Sequence, residues 1–166
     1  MPLTVIQGAV PDLRRTPWRD VPERLRGLYK PGKPIYTVMT PIEVEWRDWH
    51  IAVKPGFITD VASIPWIAGI LGISRNNKTN WMDLGAVLHD GIYYGAAKFT
   101  DHPRRNRKLA DELLLDAWHW SSGKRFKPRV RYSAVRLCGW IPYKPDYTLH
   151  DGSMMVIAKA RNGIDT

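Results

Sequence analysis

The segment "LGAVLHDGIYY", residues 84–94, sets His89 and Asp90 inside an otherwise apolar run. Burying such groups is costly unless they are paired. Any fold that buries this segment must therefore bring polar partners to it from elsewhere in the chain. Read as a helix beginning near Asn80 and running to about Tyr94, it carries His89 and Tyr93 on one face, four residues apart, with Asp90 about 100° round. Gly85 and Ala86 are small enough for a neighbouring element to pack closely.

Two other stretches offer partners. "GFITDVASIP", residues 56–65, places Thr59, Asp60 and Ser63 among apolar residues, at a strand-to-helix junction of the kind that presents functional side chains. "RKLAD", residues 107–111, puts Asp111 one helical turn from Arg107. One histidine with several carboxylates supports either of two chemistries. The carboxylates and imidazole can hold a divalent cation, with His89, Asp90 and Asp60 as the candidate ligands, or a carboxylate can orient an imidazole that acts as general base. Candidate catalytic residues are thus Asp60, His89, Asp90 and Asp111, with Thr59, Ser63, Tyr93 and Arg107 in support. Ser63 lacks the G-x-S-x-G surround of a nucleophile elbow. Structural roles compete at each position: Asp60 as a turn cap, Ser63 as a helix N-cap, Asp111 as the ion-pair partner of Arg107, His89 as a hydrogen-bonded core histidine.

The 166 residues, 44% of them hydrophobic, suffice for one domain with a core. A lone Cys138 excludes an internal disulfide framework and a multi-cysteine zinc site. The longest apolar run, "PWIAGILGI", falls well short of the about 20 residues that span a bilayer. The N-terminus lacks the ordered regions of a signal peptide. The formal charge is +9, with eleven Lys or Arg against four acids between Lys98 and Arg136. Such a surface suits polyanions, namely nucleic acid, anionic lipid headgroups, anionic wall polymers or an acidic protein partner, although no nucleic-acid-binding motif is present.

The expected organisation is an extended proline-rich arm over residues 1–34, a single α+β domain over 35–144, and a C-terminal tail over 145–166 that packs on the domain. The fold class expected is α+β: a small antiparallel β-hairpin or sheet followed by a cluster of three to four helices. "IYTVMTPIEVEW" and "WHIAVKPGF" read as the hairpin, turning at Arg47 and Asp48. Helices are expected from Ser63, from Asn80, over "TDHPRRNRKLADELLLDAWHW" with its stripe of Leu109, Leu113 and Ala117, and from Pro128 to Gly139. A short strand is expected at Met154 to Ala158.

Taken together and in this order, "GFITDVASIP", "AVLHDGIYY" and "RKLAD" resemble an uncharacterised domain family of tailed phages and prophages. The family pattern is G-F-x-T-D-x-A-S-I-P, then H-D-x-x-Y, then R-x-x-A-D. The resemblance covers residues 35–140 and implies a phage setting, with production in the host cytoplasm and incorporation in the virion as a further expectation. It supplies candidate positions without a reaction. Three readings follow: a hydrolase, metal-assisted or acid–base, acting on a cell-envelope polymer during infection or assembly; a non-enzymatic component of the tail or neck, its polar residues forming a structural network that meets other phage proteins; or, from charge alone, a nucleic-acid-binding accessory protein.

Overall fold

The computed structural model describes residues 3–61, 83–122, 145–150 and 152–159. Among these residues seven strands form two antiparallel sheets. One has the order β1-β4-β5-β7, built from β1 (Thr4–Gln7), β4 (Ile42–Trp46), β5 (Trp49–Val53) and β7 (Met155–Lys159); the other has the order β2-β3-β6, built from β2 (Leu13–Arg15), β3 (Tyr36–Val38) and β6 (Ile58–Thr59). A one-turn helix, α1 (Glu23–Arg26), precedes β3. Two substantial helices, α2 (Asp83–Tyr93) and α3 (Pro103–Ser122), pack on each other.

This corrects the expected cluster of three to four helices after a small sheet. Among the described residues the protein is sheet-rich, with a single pair of long helices. The additional strands β1 and β2 come from segments of four and three residues, too short for a clear period-2 pattern, and their partners lie far away in sequence. The helices expected from Ser63 and from Pro128 lie outside the described residues.

The expected hairpin is β4–β5. Trp46 faces Trp49 across a two-residue turn, in which Arg47 adopts φ 57. In β4, Ile42, Val44 and Trp46 point inward at alternate positions and are fully buried. They meet Leu84, Leu88 and Ile92 of α2 and Ala110, Leu113 and Ala117 of α3 in one core. Polar clips tie the hairpin to α3: Trp46 Nε1 donates to Asp116 Oδ2 at 2.7 Å, and Arg47 Nη1 lies 2.8 Å from Glu112 Oε2. A second, smaller core of Val21, Leu25, Tyr29, Ile35, Ile58 and Tyr94 joins the segment around α1 to the three-stranded sheet.

Glycines set how closely α2 is approached. A Cβ at Gly85 would lie 3.1 to 3.3 Å from side-chain atoms of Leu114, Ala117 and Trp118, so the absent side chain is what lets the two helices meet. At Gly91 a Cβ would overlap the Met155 sulfur, so β7 from the tail also depends on a missing side chain. Gly91→Ala is expected to destabilise the fold by about 1 to 3 kcal/mol through overpacking, read as a lower denaturation midpoint with an unchanged slope.

Candidate functional site

The helix pair brings together residues more than twenty positions apart. His89 Nε2 lies 3.1 Å from Asp111 Oδ1, and the Tyr93 hydroxyl donates to the same oxygen at 2.5 Å. Arg107 Nε approaches the other carboxylate oxygen at 3.9 Å. The His89 and Tyr93 rings stack at 3.8 Å between centroids, as their four-residue spacing on α2 allows. Asp111 is 0% exposed, so its charge is neutralised by these groups rather than by bulk water.

An ionised carboxylate only accepts hydrogen bonds, which makes His89 Nε2 the donor and leaves Nδ1 with its lone pair in the neutral ring. Nδ1 sits 3.8 Å from Asp90 Oδ1, beyond hydrogen-bond range. Burial alone would lower the pKa of His89. Its contacts with Asp111 and Asp90, and the charges of both carboxylates, outweigh burial and hold the pKa above the ordinary 6.5.

Asp90 is anchored from the opposite side. The buried Thr59 hydroxyl donates to Asp90 Oδ2 at 2.6 Å and accepts from the Val61 N–H at 3.2 Å. Val61 adopts φ 46, a left-handed conformation that a β-branched residue occupies only under constraint. The turn leaving β6 thus aims Thr59 at α2. Asp60, between them, turns elsewhere: its Oδ1 accepts from the Tyr94 hydroxyl at 3.2 Å.

Of the residues singled out from sequence, Thr59, His89, Asp90, Tyr93, Arg107 and Asp111 form one continuous polar chain across β6, α2 and α3. Asp60 borders it through Tyr94, and Ser63 lies outside the described residues. Among the described residues no group of three or more His, Cys, Asp or Glu side chains is arranged to hold a metal ion. Sequence reasoning missed two tyrosines. Tyr94 is signalled only by its place beside Tyr93. Tyr29, from the proline-rich N-terminal segment, has no local signal at all; its hydroxyl donates to the Ile58 carbonyl at 2.7 Å and its ring meets Tyr94 edge-on at 5.5 Å. Burial, with Asp90 and Asp60 nearby, pushes the Tyr29 pKa upward, so this phenol stays a neutral donor.

A family model described as Protein of unknown function (DUF1353) matches residues 36–135. The chain belongs to this family. The DUF1353 match runs from β3 to beyond α3 and contains every member of the polar chain. Tyr29, β1 and β2 lie before it, and β7 lies after it. Comparison with curated proteins and with solved structures gives no significant match.

The Thr59 hydroxyl cannot be removed without leaving a buried carboxylate oxygen without its donor. Thr59→Val, which keeps the shape, is expected to cost about 1 to 3 kcal/mol, measured by urea denaturation against the parent.

Proposed function

We propose that the protein is an acid–base hydrolase in which His89 activates a water, working on the cell envelope in a phage setting. One observation carries this reading. His89 Nε2 is committed to Asp111, itself held by Tyr93 and Arg107, while Nδ1 has no hydrogen-bonding protein partner among the described residues. That is the arrangement of a general base whose tautomer and orientation are set by a carboxylate. Asp111 is the orienting group and stabilises the imidazolium, Tyr93 and Arg107 fix Asp111, and Asp90, held by Thr59 3.8 Å from Nδ1, would flank a water there. The acid–base branch is preferred to the metal-assisted one because Asp60 is engaged by Tyr94 and His89 Nε2 by Asp111.

The phage setting rests on the motif resemblance, and action on the envelope on analogy with the barrier a phage must breach together with the +9 charge. A place in the host cytoplasm during production, and then in the virion, belongs to the same reading.

The alternative, a non-enzymatic tail or neck component, is favoured by one fact: His89, Asp90 and Asp111 are 6%, 2% and 0% exposed, a degree of burial that suits a network specifying one packing. The two readings part on the same variants. If His89 is the base, the parent releases labelled fragments from isolated bacterial envelopes and His89→Ala, still folded though less stable, abolishes that release. A drop in stability of about 3 to 5 kcal/mol, as for breaking a buried pair, with no hydrolysis by the parent, would favour the structural component.

The direction of the His89 shift adds a pH signature. A pKa raised in the folded state stabilises most below the unfolded value of 6.5, and that contribution is lost as pH rises through the folded value. The base form appears over the same rise. Hydrolysis is therefore expected to climb with pH above 6.5 while thermal stability falls, and His89→Gln is expected to flatten the stability change.

A further inference from the structure

One face of the four-stranded sheet meets the core, and the other is open. In β4 the alternation that turns Ile42, Val44 and Trp46 inward turns Glu43 and Glu45 to the outer face. Register sets His50 beside Glu45 and Ala52 beside Glu43, then Ala158 beside His50 and Val156 beside Ala52. An antiparallel sheet face that meets only water is polar. This one carries Ala52, Ala158 and Val156, the last 41% exposed, around two carboxylates that form no ion pair among the described residues.

The far side of the molecule is its complement. On α3, Arg104 lies nine residues from Leu113 and Lys108 nine from Ala117, so each is about 180° round the helix from a side chain buried in the core with β4. Both are exposed, as is Arg105, and neither arginine forms an ion pair among the described residues. The basic side of α3 and the glutamate face of the sheet therefore point away from each other. Within one chain they cannot meet.

Their spacings match. Glu112 and Leu115 follow Lys108 by about 6 and 10.5 Å along the helix, all three within about 60° around it. Strands β5 and β7 follow β4 by about 4.8 and 9.6 Å across the sheet. A helix laid across the strands with Lys108 over β4 thus sets Glu112 over β5, which presents His50, and half-buried Leu115 over β7, which presents Val156. Arg104 and Arg105 leave the helix on opposite sides of Lys108, about 40° one way and 60° the other, and so reach along β4 toward Glu43 and Glu45, about 6.8 Å apart. Glu112 is already held by Arg47 and Lys108, which offsets its repulsion of the glutamates.

We propose that the basic side of α3 in one copy docks on the Glu43 and Glu45 face of the sheet in a second copy. The two surfaces differ, so the contact is heterologous, and repeating it closes a ring or extends a filament. A second copy is favoured over a soluble polyanion because a polyanion would use Arg104, Arg105 and Lys108 but leave the glutamates and Val156 without a role. Thr59, His89, Asp90 and Asp111 take no part, so the contact stands apart from the hydrolase reading.

Sedimentation velocity over a concentration series, before and after nuclease treatment, tests the contact. The parent's sedimentation coefficient is expected to rise with concentration in both samples, and less steeply as salt rises. Glu43→Lys with Glu45→Lys, and separately Arg104→Glu with Arg105→Glu, are each expected to stay monomeric with an unchanged circular dichroism spectrum, because like charges then face each other. An equimolar mixture of the two variants is expected to associate as the parent does, since every contact in the mixture again pairs opposite charges. A parent that stays monomeric throughout, either variant associating alone as the parent does, or a mixture of folded variants that stays monomeric would overturn the proposal. Association of the parent that nuclease abolishes would do the same, and would assign the basic side of α3 to nucleic acid.

Discussion

Asp111 is the constraint on which the site depends. A carboxylate with no exposed surface is tolerable only where donors surround it, and here they come from two helices: His89 and Tyr93 from α2, Arg107 from its own helix. That requirement fixes the rotation of α2 against α3. Once α2 is set, Asp90 must face β6, where Thr59 receives it, and the ring of Tyr94 must face the segment carrying Tyr29. The apolar core supplies most of the driving force for packing. The polar chain selects which of the possible packings is adopted, because sliding α2 by one residue would carry His89 about 100° away from its acceptor.

The hairpin and helices are held in register by similar means. Trp46 is fully buried yet carries an indole N–H, and Asp116 takes it; Arg47, at the tip of the same hairpin, reaches Glu112 one turn earlier on α3 and lies over the Trp46 ring. The sheet and α3 therefore meet through a residue pair at each of two successive turns. Glycines 85 and 91 complete the arrangement by letting α2 approach α3 on one side and Met155 on the other.

What could be read from sequence follows the range of each signal. Helices α2 and α3 announce themselves through local periodicity, and His89, Asp90 and Asp111 through polarity in apolar surroundings. Their meeting is a three-dimensional fact, made reachable because the helices are consecutive. Strands β1, β2 and β7 were harder to place in sheets: each is three to five residues long and takes its meaning from a distant partner. The short strand expected near Met154 lies at Met155–Lys159, but nothing local reveals that β5 is its neighbour. The same holds for Tyr29, whose importance lies wholly in contacts with Ile58 and Tyr94. Asp60 shows the converse. Adjacent to Thr59 in sequence, it looks like a member of the same site, yet alternation along the chain sends it toward Tyr94.

The pairing of β5 with β7 joins Trp49–Val53 to Met155–Lys159, and this has a consequence for how the protein is born. At a synthesis rate of about 5 to 20 residues per second, β5 waits several seconds for its last neighbour. Through that interval one edge of the central sheet is open, and Met155 is missing from its place against Gly91. The nascent chain therefore holds an incomplete sheet beside α2 until β7 has left the ribosome. A chaperone that shields open strand edges would find its binding site during this window and lose it when residue 159 arrives.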